Sequence, residues 1–325
     1  MRETIVCGFG PVGRATTEAL LARGSAVRVA QRSRPADLPP DVSFTPCDVL
    51  DADSLGPALA GAEQVVVSIG LPYDGRVWRS AWPRAMQNLV AACAGSGARL
   101  VFVDNLYMLG PQRAALREDM PLTGFGAKPA ARSEVSRIWL AATDRVRVAA
   151  LRAPDFYGPG VSLSHLGSGA FGALARGRTA TLLAPPDTPH DFAYVPDIAR
   201  AVLTLLDAPD DAFGQAWNMP CAPTRTPREI LRLGAEALGL RLRLRAVPLG
   251  LLPLLGLAVP FLREVAEMRF TLDRPYRVDA TKFAARFWSD ATPFERGAPA
   301  TARAFQAAAA RGGDAAGSQA AAARR

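Results

Sequence analysis

Four cysteines, Cys7, Cys47, Cys93 and Cys221, are scattered over 325 residues, too few and too dispersed for a disulfide framework or a Cys-x-x-Cys metal knuckle. The only histidines are His165 and His190, which cannot build a three-histidine zinc site and each read as a structural or exposed imidazole. A metal-free chemistry is expected. Long hydrophobic runs are missing too: the longest apolar stretch, Val247 to Leu262, is interrupted by Pro248, Pro253 and Pro260, which makes a poor membrane span. An apolar strand pattern starts within the first residues, with no basic leader or small-residue cleavage site. The expectation is a cytoplasmic protein with no membrane partner.

Lysine is nearly absent. Lys128 and Lys282 are the only lysines among 38 basic residues in a chain of net charge +8. The arginines are spread along the sequence, and their densest group, Arg241, Arg243 and Arg245, alternates with Leu240, Leu242 and Leu244 as a strand with one wet face would. No nucleic-acid partner is expected; a small-molecule substrate is, with the chain a monomer or homodimer. A lysine that survives such an arginine bias draws attention to itself, Lys128 in particular.

What is present is a core. With 49% hydrophobic and 21% charged residues, the chain has interior enough for one large α/β domain or two lobes. Strand and helix patterns alternate: strands at Thr4 to Val6, Ala26 to Ala30, Val42 to Thr45, Val65 to Ser68, Leu100 to Val103 and Val146 to Leu151; helices at Arg14 to Arg23, Ser54 to Leu59, Ser80 to Ala94 and Ser133 to Ala142. Six strands with crossover helices predict a doubly wound parallel α/β sheet. Beyond Arg152 the alternation loosens. The predicted organisation is a nucleotide-binding domain over 1–154, a smaller substrate lobe over 155–311 with segments returning to the first domain, and a disordered tail over 312–325. In the lobe, Pro196 opens a helix, and Thr226, Pro227 and Glu229 form a capping box for another.

The strongest motif is Gly8-Phe9-Gly10-Pro11-Val12-Gly13, between the first strand and the first helix. Gly8, Gly10 and Gly13 permit a tight turn and a close backbone approach to a pyrophosphate, whose charge then sits with Val12 at the positive end of the helix dipole. At the tip of the second strand stand Gln31, Arg32, Ser33 and Arg34, with no acid to accept the 2′-hydroxyl of an adenosine ribose. Arg32, Ser33 and Arg34 suit a 2′-phosphate, so NADP(H) is expected over NAD(H). Asp48 and Val49 would border the adenine, Ser68 and Gly70 the ribose.

These segments resemble the extended and atypical short-chain dehydrogenases/reductases, often grouped as NAD-dependent epimerases/dehydratases. The resemblance rests on the glycine motif, Cys47-Asp48-Val49, the run from Phe102 to Gly110, the block from Arg152 through Pro154 to Gly160, and His190 to Ala199. It implies a Rossmann-type fold of the extended kind, with Pro154 beside the cofactor. It further implies a serine or threonine after the fifth strand and a Tyr-x-x-x-Lys pair on the next helix. Here Asn105 stands for the serine, Lys128 for the lysine, and Gly124 where the tyrosine belongs. Lys128 is then expected to hold the nicotinamide ribose, while the proton donor must come from elsewhere. Tyr107 is the nearest candidate, a core aromatic its plainer reading; Asp104 orienting a water, Asn105 bonding the carbonyl oxygen, or a substrate hydroxyl remain open.

The expected substrate wall comprises Tyr73, Trp78, Tyr107, Phe125, Asp155 and Phe156, with the Leu251 to Phe261 segment. It is bulky and mostly neutral, which favours a large flat apolar molecule. The reading is NADPH-dependent reduction of a ketone on an aromatic, polyketide-like substrate, as in tyrosine-lacking ketoreductases of bacterial secondary metabolism, including those of angucyclinones. A nucleotide-sugar epimerase or dehydratase and a non-catalytic NADP sensor are the alternatives.

Overall fold

The computed structural model describes residues 3–322, with side chains through Arg311. Its first half alternates as the sequence predicts: β1 (Glu3–Cys7), α1 (Pro11–Ala22), β2 (Ala26–Gln31), β3 (Ser43–Pro46), α2 (Ala52–Leu59), β4 (Gln64–Val67), α3 (Gly75–Ser96), β5 (Arg99–Asp104), α4 (Lys128–Leu140) and β6 (Val148–Arg152). β4 and β6 are buried along their whole length, as strands covered by helices on both faces must be. α3 starts five residues earlier than predicted because the Asp74 carboxylate caps the amides of Arg76 and Val77, and it runs on to the left-handed Gly97 (φ +74) rather than stopping at Gly95.

The second half contributes β7 (Asp155–Tyr157), α5 (Gly172–Ala175), β8 (Ala180–Leu182), β9 (Phe192–Tyr194), α6 (Val195–Asp207), β10 (Gln215–Asn218), α7 (Pro227–Ala237), β11 (Leu244–Ala246), α8 (Leu252–Ala258), α9 (Pro260–Glu267), α10 (Thr281–Arg286) and α11 (Phe294–Ala322). The central sheet has seven strands, not six, in the order β10-β6-β5-β4-β1-β2-β3, every pair parallel. The extra strand lies far along the chain and reaches the sheet only after the excursion through β7 to α6, so local alternation does not reveal it. α6 packs against α1 on one face of the sheet, and α3 packs against α4 on the other. The direction of winding reverses between β1 and β4, opening a crevice at their C-terminal ends.

Between β8, β9, α7 and α11 lies a separate apolar core built on Phe171, Phe192, Ile230, Leu231 and Phe294. Each of these side chains is nearly inaccessible, and each contributes roughly 1.5–3 kcal/mol of transfer free energy. The predicted capping box opens α7: Thr226 and Glu229 satisfy each other's backbone amides. One expectation changes: the Leu/Arg alternation forms only the short strand β11, paired with β8. The expected tail, 312–325, begins within the bounds of α11 (Phe294–Ala322), and residues 323–325 lie outside the described ones.

Candidate functional site

The glycine turn is packed for a purpose. Gly8 has φ +95, in the region that favours glycine. A Cβ on Gly13 would sit 1.9 Å from the Gly8 carbonyl oxygen, so the helix start is held hard against the strand end. Ser68 Oγ donates to the same carbonyl at 3.2 Å, and the amide of Phe9 donates to Gln31 Oε1 at 2.9 Å. A Cβ on Gly10 would meet no protein atom within 4 Å. The turn is therefore braced from inside and open on the side where the first amides of α1 have no intrahelical acceptor. The cradle fits a pyrophosphate, which the backbone of Gly10, Val12 and Gly13 would hold. Ser68 acts as a brace of the turn, and Gly70, which is exposed, borders the crevice.

Along the crevice, Asp48 Oδ1 accepts from the Leu50 amide at 3.0 Å, and the Val49 carbonyl accepts from Asn88 at 3.0 Å, which fixes this edge. At the tip of β2, Gln31 is engaged with Phe9 and with the Ser33 carbonyl. Arg32 and Ser33 are exposed, and Arg34 lies 5.8 Å from the Phe44 ring centroid. Asp37, the acid nearest in sequence, is already paired with Arg14 at 2.7 Å.

At the reactive end, the chain turns after β5 through a single 3-10 turn, Tyr107–Leu109. Asn105 Oδ1 accepts from the Tyr107 amide at 3.0 Å, leaving its amide nitrogen to donate. Tyr107 hydrogen-bonds the hydroxyl of Tyr73 and lies parallel to Trp78, ring centroids 6.2 Å apart. Trp78 Nε1 donates to the Pro72 carbonyl at 3.0 Å, so its indole is a fixed wall. Burial, then the charge fields of Tyr73 and Asp155, pushes the Tyr107 hydroxyl well above the usual phenol range; burial and Asp155 do the same to Tyr73. Both phenols are therefore protonated donors at neutral pH.

Asp155, at the head of β7, receives both histidines: His190 Nε2 lies 2.9 Å and His165 Nε2 3.5 Å from its Oδ2. Burial opposes ionisation of Asp155, but the two imidazoles outweigh it and lower its pKa. Burial likewise pulls His165 below the ordinary imidazole range, against the attraction of Asp155. His190 stacks on Tyr276 with centroids 4.9 Å apart. Both are structural imidazoles brought to one carboxylate, His190 from just before β9 and His165 from the 158–166 segment. Among the described residues, no group of three or more His, Cys, Asp or Glu is arranged to hold a metal ion.

Lys128 is placed otherwise than expected. Its ammonium, fully buried, sits 2.6 Å from Glu264 and 2.5 Å from Glu267, both on α9, and 4.8 Å from the Tyr73 ring centroid. Glu264 also accepts from the Gly75 amide at 2.8 Å, and Glu267 from the amides of Ala127 and Lys128. Burial disfavours the Glu267 charge, but Lys128 and the two amides prevail and hold its pKa low. The lysine thus ties α4 to α9 across the lobe boundary instead of presenting a free cation. Gly124 is exposed and precedes the helix.

Three other expectations shift. Asp104 pairs with Arg132 through Oδ1, both residues buried, and its unpartnered Oδ2 is sealed from solvent. Phe125 is 45% exposed and packs edge-on against Phe270. Phe156 joins the apolar cluster of β1, β2 and α6, while Pro154 is buried between β6 and β7. Of the predicted wall, Tyr73, Trp78 and Tyr107 converge, and Phe261 approaches Tyr73 with centroids 6.2 Å apart. The sequence names His165 and His190 only as structural or exposed imidazoles, without their shared Asp155, and Glu264 and Glu267 go unnamed there. The signal for the histidines was their scarcity, and for the glutamates their i, i+3 spacing beside an apolar segment, which puts both on one helix face.

The chain matches the NAD dependent epimerase/dehydratase family over residues 4–219. No curated protein sequence matches it. Among solved structures it is similar to the Bordetella bronchiseptica enzyme WbmH in complex with NAD+ (17% identity, 94% of this chain and 98% of that one, TM-score 0.74). It is also similar to Thermus thermophilus UDP-glucose 4-epimerase with NAD (21%, 94% and 99%, 0.73), and to the dTDP-glucose 4,6-dehydratase DesIV of Streptomyces venezuelae with NAD and TYD bound (19%, 94% and 97%, 0.74). The fold is that of these Rossmann-type enzymes. Among the described residues, no helix is long and apolar enough to cross a membrane.

Proposed function

The chain belongs to the NAD dependent epimerase/dehydratase family, and from that premise we propose that a nicotinamide dinucleotide held in the glycine crevice exchanges hydride with the carbinol or ketone carbon of a small molecule. The observation that carries the reading is the Tyr107–Tyr73 hydroxyl pair beside Asp155, at the C-terminal end of β5 where a substrate oxygen belongs. Tyr107 gives its proton to the developing alkoxide and takes one back through its hydrogen bond with Tyr73, which is reprotonated in turn from solvent water, and the Asn105 amide steadies the same oxygen. Asp155, paired with His165 and His190, adds its charge to burial in raising the proton affinity of the pair. NADP(H) is the favoured cofactor, supported by the Arg32, Ser33 and Arg34 tip and the pairing of Asp37 with Arg14.

Two substrate classes compete. The family and the names of the similar enzymes support a nucleotide sugar, processed by epimerase- or dehydratase-type chemistry. The site itself favours an uncharged ketone: Asp155, Glu264 and Glu267 place carboxylates where a diphosphate would need cations, and Tyr73, Trp78 and Phe261 offer apolar wall. Spectrophotometric assays decide between them. NADPH oxidation with polycyclic aromatic ketones, and none with UDP- or dTDP-hexoses, is the expected result. Turnover of the sugar nucleotides alone would transfer the assignment to the second class, and cofactor binding without turnover of either panel would leave a sensor, not an enzyme.

A further inference from the structure

We infer that a cavity beside the free edge of β10, remote from the glycine crevice, binds a small carboxylate-bearing metabolite through Arg152 and Lys282. The cavity holds about 650 Å³, and its wall includes Arg117, Glu118, Asp119, Arg152, Asp279 and Lys282. Arg152 ends β6 with 2% of its surface exposed. Its Nε and Nη1 are sealed from solvent with no acceptor, and among the described residues the side chain makes no hydrogen bond or ion pair. Burial depresses its pKa against the charge fields of Asp104 and Glu118, which offset that burial in part without hydrogen-bonding the guanidinium, and a group so buried still gains from a further counter-charge.

The acids in the wall are engaged elsewhere. Glu118 accepts from the Asn218 amide at 2.8 Å, Asp279 from the Thr281 amide at 2.9 Å, and Asp119 pairs with Arg117. Lys282 donates one hydrogen to the Ala216 carbonyl at 2.7 Å, stands 4.2 Å from the Trp217 ring centroid, and keeps two hydrogens to give. It is one of only two lysines in the chain, and the other is already explained. Arg152 and Lys282 thus keep N–H groups that no acid of the wall accepts, which is what an oxyanion satisfies. With Nε and Nη1 sealed, Nη2 of Arg152 and the Lys282 ammonium are the donors left to share a carboxylate. A phosphate dianion is disfavoured, because Glu118, Asp119 and Asp279 repel each added negative charge.

The test is calorimetric titration of the full chain with acetate, pyruvate and benzoate, and with inorganic phosphate. Saturable one-to-one binding of at least one carboxylate is expected, with phosphate at least tenfold weaker. Lys282→Gln, which keeps a hydrogen-bond donor and removes the charge, should weaken the carboxylate at least tenfold while NADPH affinity stays unchanged. Arg152→Gln should do the same where it folds; Lys282→Gln decides where it does not. No saturable heat from any carboxylate, equal affinity in Lys282→Gln, or phosphate binding more tightly than all three carboxylates would each overturn the assignment.

Discussion

His190 Nε2 lies 2.9 Å from Asp155 Oδ2, and the chain's other histidine, His165, approaches the same oxygen at 3.5 Å. In a sequence this poor in histidine, both imidazoles have been brought to one carboxylate from separate segments. That carboxylate lies within the electrostatic reach of Tyr73, Tyr107 and Tyr276. The cluster joins the late lobe to the end of β6, so its charge state couples folding of the lobe to the proton affinity of the site.

Stability should therefore fall on acidification. His165 has a folded pKa below its unfolded value of 6.5, so below pH 6.5 the unfolded chain takes up a proton that the folded one refuses, and stability is lost as pH falls toward the folded pKa. Asp155 adds a second loss, below its unfolded value of 3.8, because its folded pKa is also depressed. Thermal melts between pH 7.5 and 5 should show a declining Tm in the wild type and a flatter profile in His165→Gln. Parallel profiles would mean that His165 does not titrate differently on folding.

Tyr107→Phe removes the proposed donor and little else, since the ring keeps its packing on Trp78. A loss of about 10²–10⁴-fold in kcat, with KM nearly unchanged, is the size expected for one general acid. Tyr73→Phe should cost less, because Tyr107 keeps its own proton. With the Tyr107 pKa raised well above 10, no fall in rate from its ionisation should appear on the alkaline side below pH 10. Steady-state kinetics of both variants check this, and an unchanged kcat in Tyr107→Phe would pass the role to water or substrate.

The sheet was legible because buried parallel strands read as continuous β-branched runs between helical periods, and the glycine turn because its spacing falls between β1 and α1. The site was less legible. Asp155, His165, His190, Glu264 and Glu267 come together only through the path of the late lobe, and no local period encodes that path. Lys128 was recognised as unusual from composition, yet its partners lie more than a hundred residues away on α9. β10 was missed for the same reason: its parallel neighbour β6 is separated from it by the whole first part of the lobe.

The glycine turn offers an internal control. Gly13→Ala would drive a Cβ to 1.9 Å from the Gly8 carbonyl, and overpacking of this kind costs about 1–3 kcal/mol or more, so both stability and cofactor affinity should drop. Gly10→Ala adds a methyl that meets no protein atom. Its Tm should match the wild type while cofactor affinity falls at least tenfold, the added carbon standing where phosphate oxygens would approach. Melting curves alongside fluorescence titration with NADPH separate the two.

Arg32→Ala tests cofactor choice. A charge-assisted hydrogen bond contributes about 1.5–3 kcal/mol, which is roughly 10–100-fold in affinity. NADPH should lose that much while NADH, lacking the 2′-phosphate, loses little. Equal losses for the two cofactors would point to a general effect on the tip of β2, and the preference for NADP(H) would go with it.

Lys128 joins α4 to two glutamates on α9, and the clamp makes opposite predictions for its two sides. Lys128→Met leaves Glu264 and Glu267 facing each other with their counter-ion gone, and breaking a buried pair in this way costs about 3–5 kcal/mol. Glu267→Gln leaves the ammonium with Glu264 at 2.6 Å, and its amide oxygen can still accept from the backbone amides of Ala127 and Lys128, so the cost should be well under half as large. Urea denaturation of the two variants should show this asymmetry. If Lys128 also reaches the cofactor, Lys128→Met should weaken NADPH binding under conditions where the variant remains fully folded, whereas Glu267→Gln, which relaxes the clamp, should leave binding unchanged or tighter. Equal weakening in both variants would mean that the lysine acts on the cofactor only by holding α9 in place.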